Sequence, residues 1–324
     1  MRPINEDEEM EEEQEEQKDQ IQDLMDNMNV KDKPQHAPVP FPQPNKMYTK
    51  PADVNQAHKF GMKPSTKAGV CYDPIDWRNY FDSMEMMDQR VPIYVSGTEG
   101  HVFLCMHGAG HSALSFSTLA KYLKTDSTVV AFDFRGHGGN TTENPTDLSE
   151  ETLINDAIEV MRYVCHKFNE ASIMIVGHSM GGSIATKSAS KALKDYSGEE
   201  WTKQIQGLYV IDVVEGSAMD ALPFMENIVL SRPPEFKTIQ SVVQYGIKSG
   251  TIRDLESARV SMPDQVAPTL NEATGETRYA WKTDLLASKD FWESWFKGLT
   301  QCFLDNGQRT DYCSNAGQIQ ACCP

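Results

Sequence analysis

The sequence predicts an α/β fold, with a mostly parallel, doubly wound sheet and a helical cap over it. The first observation is that apolar, strand-like runs alternate with helix-like segments from residue 90 to residue 216, as expected for a parallel sheet with helices on both faces. The second is that residues 217–300 spread their Met and aromatic residues over polar helical segments without strand-like runs. We interpret this second segment as the cap.

The core elements follow from these runs in chain order. The predicted strands occupy residues 80–81, 90–97, 101–106, 127–133, 172–177 and 207–216. The predicted helices occupy residues 115–124, residues 150–167 and a stretch that ends near residue 193. Ser149 is the expected N-cap of the second helix, because two acidic residues fill its first turn. A further strand is expected to start at residues 303–304.

Both ends of the chain differ in composition from this predicted core. Residues 1–30 contain twelve acidic residues against Arg2 and Lys18, so they carry −10 of the net charge of −17. Such a charge run predicts a disordered tail and argues against nucleic acid as a partner. Six prolines between residues 34 and 51 predict an extended linker. We therefore divide the chain into tail and linker, core, cap and divergent C-terminal tail: residues 1–53, 54–216, 217–300 and 301–324.

Several features bear on the compartment. The acidic N-terminus lacks the apolar segment of a signal peptide. The sequence also contains no 18-residue apolar run of the kind that predicts a membrane span. The seven cysteines are an odd number, and Cys105 and Cys165 lie in apolar runs where reduced thiols are the norm. The sequence contains no CxxC pair of the kind that would predict a zinc site. The expected location is the cytosol or nucleus, without a membrane partner.

The central motif is the G-x-S-x-G sequence at residues 177–181. It follows a β-favouring run and precedes a run of small residues, so it predicts a sharp strand–turn–helix junction that exposes a serine nucleophile. A side chain on Gly177 or Gly181, at the two ends of the motif, would collide with the neighbouring strand or helix. Ser179 is the candidate nucleophile, and the N–H of Met180 is the first candidate oxyanion donor.

A second motif, His-Gly-Ala-Gly at residues 107–110, follows another buried strand. In serine hydrolases of this layout the loop at that place supplies the second oxyanion donor, and the N–H of Ala109 is our candidate. His107 has the simpler alternative role of packing the loop. Asp133 and His137, in the turn after the next strand, are expected to hold their loop together rather than to take part in catalysis.

A serine hydroxyl needs a general base, usually a histidine oriented by a carboxylate. In this layout the acid and then the histidine follow the serine along the chain. Asp212 lies near the end of the next strand and is the candidate acid, with Glu215 and Asp220 as alternatives. The active sites of open α/β sheets lie at these strand ends.

The expected histidine is absent from the sequence after residue 178. The eight histidines are His36, His58, His101, His107, His111, His137, His166 and His178. His178 and His107 are the nearest possible substitutes, but one adjoins the serine with its ring expected beside the strand, and the other belongs to the oxyanion loop. Neither has the position that the base normally has.

Four stretches together resemble the protein phosphatase methylesterase family: residues 176–182, 211–222, 255–262 and 292–299. The resemblance extends from about Pro38 to Leu304. It implies an α/β-hydrolase that removes the methyl ester from the C-terminal leucine of the protein phosphatase 2A catalytic subunit, its partner protein. It also implies Ser179 as nucleophile and Asp212, rather than the alternatives, as the acid. No cofactor is expected.

The C-terminal residues depart from the family pattern. Members continue past the cap with a strand, an acidic turn and a Gly-His loop that holds the catalytic histidine, whereas residues 306–324 have no such character. We expect a truncated product, a splice variant or a gene-model error, in which the last strands are missing. The alternative function is a non-catalytic binder of the phosphatase. A general lipase or esterase is a third interpretation, disfavoured by the cap stretches.

Overall fold

The fold is built on a six-stranded sheet. The structure is a computed structural model that describes residues 70–270 and 275–307. In chain order the strands are β1 Ser83–Met87, β2 Val91–Ser96, β3 Val102–Met106, β4 Thr128–Phe132, β5 Ile173–His178 and β6 Ile205–Ile211. Their spatial order is β1-β2-β4-β3-β5-β6. The pairs β1–β2 and β2–β4 are antiparallel, whereas β4–β3, β3–β5 and β5–β6 are parallel. The prediction of a mostly parallel sheet is confirmed. The expectations for residues 1–53 and 308–324 lie outside the described residues.

Helices cover both faces of this sheet because successive strand residues point to opposite sides. Leu104 and Met106 pack into one apolar cluster, and Cys105 packs into the other. The core helices are α1 Ser117–Leu123, α2 Glu150–Lys167 and α3 Met180–Asp195. The last two confirm the predicted helices within about two residues. The strand predicted at residues 80–81 is wrong, because Tyr80 and Phe81 follow a short 3-10 helix and fill the second cluster.

The cap contains more than the predicted helices. Its elements are α4 Glu215–Leu230, β7 Glu235–Phe236, α5 Ile239–Lys248, α6 Leu255–Ser261, β8 Val266–Leu270, β9 Thr277–Trp281 and α7 Trp292–Phe296. The three strands form an antiparallel sheet of order β7-β9-β8. The expectation of a cap without strands is therefore incomplete. The cap has its own apolar cluster, in which Phe236 packs against Val242 and Met262.

The last described element is a helix, α8 Leu299–Gly307, so the strand predicted at residues 303–304 is wrong. The reason lies in long-range contacts. The carboxylate of Glu215 accepts hydrogen bonds from the backbone N–H of Gly298 at 2.7 Å and of Thr300 at 2.8 Å, which satisfies N–H groups that a helix start leaves free. Farther along, Asn306 donates to the carbonyl of Thr186 in α3 at 3.1 Å.

Lys187 is a buried cation that joins α3 to the end of α7. Its Nζ donates to the carbonyls of Ser294 at 2.8 Å, Trp295 at 3.0 Å and Lys297 at 3.0 Å. It also pairs with Glu150 at 3.1 Å, and only 9% of its side chain is exposed. Carbonyls at a helix C-terminus lack intrahelical partners and favour a nearby cation.

Lys187→Met is expected to lower the free energy of unfolding by about 2–4 kcal/mol, because three carbonyls and one carboxylate lose their buried donor. Urea denaturation measures the change. The control is Lys191→Met, one turn later on α3, whose ion pair with Asp195 is exposed and whose loss should change stability by about 0.5 kcal/mol or less. Equal midpoints for the two variants would contradict the assignment.

Candidate active site

Ser179 lies between β5 and α3, at the carboxyl edge of the sheet. Its backbone has φ +52° and ψ −123°, a strained conformation for a residue other than glycine. Its N–H donates to the carbonyl of Ile211 at the end of β6, at 2.9 Å. Its Oγ has no hydrogen-bond partner among the described residues and is therefore free to meet a ligand.

Close backbone approach explains the two glycines of the motif. A Cβ on Gly177 would lie 2.3 Å from the carbonyl oxygen of Gly181, and a Cβ on Gly181 would lie 2.3 Å from that of Met106. Both distances are far inside van der Waals contact, so the turn tolerates no side chain at either position. The sharp junction expected from the sequence therefore has a direct steric basis.

The loop after β3 lies against this turn. A Cβ on Gly108 would be 3.3 Å from the Cβ of Ser179. Next to it, the N–H of Ala109 has no acceptor among the described residues, and the same holds for the N–H of Met180. Met180 is the first residue of α3, where backbone N–H groups are unpaired and the helix dipole favours negative charge. Both candidate oxyanion donors are thus uncommitted.

Two buried histidines hold that loop in place. His107 accepts from the N–H of Phe134 at 3.1 Å through Nε2, and its Nδ1 donates to the carbonyl of Gly108 at 2.8 Å. His137 accepts from the N–H of Gly110 at 2.9 Å. Burial lowers the pKa of His137 to about 4 and that of His107 well below its usual value. Both rings are therefore neutral structural groups at pH 7.

Asp133 has a similar role in the neighbouring turn. Its carboxylate accepts from the N–H of Ala113 at 2.7 Å and from that of Gly139 at 2.8 Å. Burial raises its pKa to about 7. The structure thus gives Asp133 and His137 the loop-holding contacts that the sequence predicts.

The three candidate acids have different surroundings. Asp212 has φ +56°, and its largely exposed carboxylate lies 3.8 Å from Nε2 of His178. Glu215 is committed to the start of α8, and the N–H groups of Thr300 and Gly298 lower its pKa. Asp220 is exposed on α4. Of the three, only Asp212 reaches a histidine next to Ser179.

Within the described residues, no histidine hydrogen-bonds to Ser179 Oγ. His178 turns its Nε2 towards Asp212. His111 packs edge-on against His178, with ring centroids 5.6 Å apart, and its Nδ1 lies 3.3 Å from the hydroxyl of Ser115. Burial lowers the pKa of His178, although Asp212 opposes this effect. The described geometry therefore brings together a candidate nucleophile, two candidate oxyanion donors and a candidate acid, without a histidine bonded to the serine.

Comparisons with known proteins identify the family. Residues 102–312 match the alpha/beta hydrolase family. Protein phosphatase methylesterase 1 of Homo sapiens is 35% identical over 292 residues, covering 76% of this chain and 73% of the relative. That of Bos taurus is 36% identical and covers 76% and 74%. The probable protein phosphatase methylesterase 1 of Caenorhabditis elegans is 36% identical over 237 residues, covering 71% and 61%. This chain belongs to the protein phosphatase methylesterase family of α/β-hydrolases.

This result confirms the family resemblance and the hydrolase fold expected from the sequence. The roles of individual residues in this chain remain predictions. Sequence reasoning also missed one residue near the site, Arg232, because the residues around it come from distant parts of the chain. No described helix combines the length and the apolarity needed to cross a membrane.

Proposed function

We propose that this chain is a serine carboxylesterase that removes the methyl ester from the C-terminal leucine of the protein phosphatase 2A catalytic subunit. The observation that carries the proposal is Ser179, whose free Oγ lies on a strained turn beside two uncommitted N–H groups. The names of the relatives support the phosphatase as the substrate-bearing partner.

In the proposed reaction, Ser179 Oγ attacks the ester carbonyl and gives up its proton to a water molecule, because no histidine of the described residues contacts that oxygen. The N–H groups of Met180 and Ala109 stabilise the oxyanion of the tetrahedral intermediate. The intermediate collapses as methoxide takes up the proton and leaves as methanol, and water then hydrolyses the acyl-enzyme to the free carboxylate. Asp212 is the proposed acid of the site, and the histidine that it reaches is His178.

A second function is favoured by the absence of a histidine contact to Ser179 Oγ in the described residues. A serine without its base loses several powers of ten in rate, and only oxyanion and binding effects remain. Under this alternative the chain binds the phosphatase through the cap and does not demethylate it. Substitution of His178 for the base is disfavoured, since its Nε2 faces Asp212 and neither of its ring nitrogens hydrogen-bonds to Ser179 Oγ.

The test uses methylated phosphatase with the purified chain and with Ser179→Ala. Esterase function predicts that demethylation falls at least about 10³-fold in the variant, while pull-down of the phosphatase is retained. The exposed Ser249→Ala variant is the control and should keep full activity. Equal pull-down without demethylation by either form would establish the binder, and failure of both assays would refute both functions.

We also propose a reducing compartment, the cytosol or nucleus. Four described cysteines are unpaired thiols: Cys71, Cys105, Cys165 and Cys302. Burial raises the pKa of Cys105 and Cys165, so these thiols stay protonated and unreactive. Disulfides are rare in such compartments.

A further inference from the structure

Arg232 lies where the cap meets the loop after β3. Its Cζ is 3.6 Å from the ring centroid of Trp281 in β9. A Cβ on Gly110 would be 3.6 Å from its Nη1. The guanidinium is therefore held between the cap sheet and the candidate oxyanion loop.

Its electrostatic surroundings set Arg232 apart from other shielded arginines. Arg135 pairs with Asp156 at 2.5 Å, Arg278 with Glu276 at 2.9 Å and Arg162 with Glu199 at 3.9 Å. No carboxylate of the described residues lies within 4.0 Å of Arg232, and none of those residues accepts a hydrogen bond from its side chain. A partly buried guanidinium without an anion is unfavourable, because those N–H donors that burial removes from water have no protein acceptor.

Burial has the expected effect on this group. It lowers the pKa of Arg232, and only the Tyr245 phenol opposes it. Burial chiefly lowers the pKa of His111, which follows Gly110 in the loop, and the positive charge of Arg232 makes a small further contribution. The charge of Arg232 therefore acts on a histidine of the candidate active site.

The distance to Ser179 is short on the scale of a peptide. Gly108 touches Ser179, and two residues of chain, from Gly108 to Gly110, span at most about 7 Å. An extended peptide rises about 3.3 Å per residue. Arg232 is therefore within reach of a side chain one to three residues before a C-terminal group bound at Ser179.

Stacking alone does not account for this arrangement. The indole of Trp281 is fixed independently, because its Nε1 donates to the carbonyl of Pro233 at 2.8 Å. The stack leaves the edge N–H groups of the guanidinium unused. Those groups match a carboxylate, which accepts two parallel hydrogen bonds from arginine.

We propose that Arg232 binds the carboxylate of an acidic side chain, one to three residues before the esterified C-terminal residue of the substrate. This specificity role rests on the proposed function of the Ser179 site. The methyl ester itself is neutral, so the C-terminus of the substrate does not supply the anion.

The test measures binding of fluorescein-labelled hexapeptides that end in leucine methyl ester. Each carries Asp or Asn at one of the three positions before leucine, and fluorescence anisotropy is recorded with the full chain carrying Ser179→Ala, which prevents turnover. We expect Asp at one of these positions to tighten binding about tenfold over Asn. Arg232→Gln should reduce the preference below about twofold, and Arg232→Lys should retain part of it.

Arg162→Gln is the matched control. Arg162 also stacks on aromatic rings and faces a carboxylate, but it lies on α2, and its loss should leave the Asp preference intact. Circular dichroism melting checks the fold of each variant, and Arg232→Lys provides the readout if Arg232→Gln does not fold.

Four results would overturn the proposal. They are absence of hexapeptide binding, equal binding of Asp and Asn peptides, an Asp preference that survives Arg232→Gln, and an Arg232-dependent preference for a free C-terminus over the ester. The demethylation assay separates the proposal for Arg232 from the esterase proposal. An Asp preference without demethylation refutes only the esterase, and demethylation without a preference refutes only the role of Arg232.

Discussion

Gly181→Ala is expected to lower the free energy of unfolding by about 3 kcal/mol or more, because overpacking at a fixed backbone contact forces the structure apart. The added Cβ would lie 2.3 Å from the carbonyl oxygen of Met106 and 2.4 Å from that of His107. These two carbonyls end β3 and begin the candidate oxyanion loop, so neither can move without disturbing the sheet or the loop. Urea denaturation measures the loss as a lower midpoint.

Gly198→Ala is the control for this prediction. An added Cβ there has no heavy atom within 4 Å, so the substitution should change the free energy of unfolding by about 0.5 kcal/mol or less. A Gly181→Ala midpoint equal to that of the control would show that the turn is not sterically closed. It would also remove the physical basis for the strained conformation of Ser179.

The parts of the fold that the sequence predicted are those that short-range chemistry determines. The turn at Ser179 needs glycines because of contacts within a few residues and with the adjacent strand. The strands β3 to β5 are marked by continuous apolar runs, as buried parallel strands usually are, and the edge strand β6 carries a shorter run although it is largely exposed. Helix α2 carries its own N-terminal signal, Ser149 and two acidic residues, although the hydroxyl of Ser149 bonds to Thr152 rather than to the backbone.

The parts that were missed depend on distant contacts. Strand β7 has two residues and β8 contains Pro268, so neither resembles a strand in isolation. The sequence predicts a strand start where helix α8 lies, because the local sequence does not reveal the contacts of this helix with Glu215 and Thr186. Arg232 was not singled out, because its setting joins β9 to the loop after β3.

The candidate site shows the same division. Ser179, Met180 and Ala109 were inferred from two local motifs, and the structure places the two motifs in contact. The choice of Asp212 came from family resemblance, since strand-end position alone left Glu215 open. The structure adds a physical reason to separate them, because the carboxylate of Glu215 is engaged by two backbone N–H groups.

Acid is expected to destabilise the protein through the histidines that hold the site together. The pKa of His111 and of His137 is about 4 in the folded protein, below the unfolded value of about 6.5, and that of His107 is also lowered. Between pH 6.5 and 4 the unfolded chain therefore binds more protons. The stability that these rings contribute is fully present above pH 6.5 and decreases as the pH falls towards 4, by roughly 3 kcal/mol each for His111 and His137, and His107 adds to the loss.

Asp133 acts in the opposite direction over part of this range. Its pKa of about 7 in the folded protein exceeds the unfolded value of about 3.9, so the folded state gains stability as the pH falls from 7 to 4. This gain offsets somewhat more than the loss at one histidine, so the remaining histidine losses leave a net decrease. Urea midpoints measured between pH 6.5 and 4.5 should decrease with acidification.

His137→Gln tests the assignment directly. Its side chain retains an amide oxygen that can accept the N–H of Gly110, but it has no titrating ring. The variant should therefore show a shallower pH slope than the wild type, by up to about one proton between pH 6.5 and 4. A slope equal to that of the wild type would mean that His137 does not stay neutral in the folded protein, and that the oxyanion loop tolerates an imidazolium at its base.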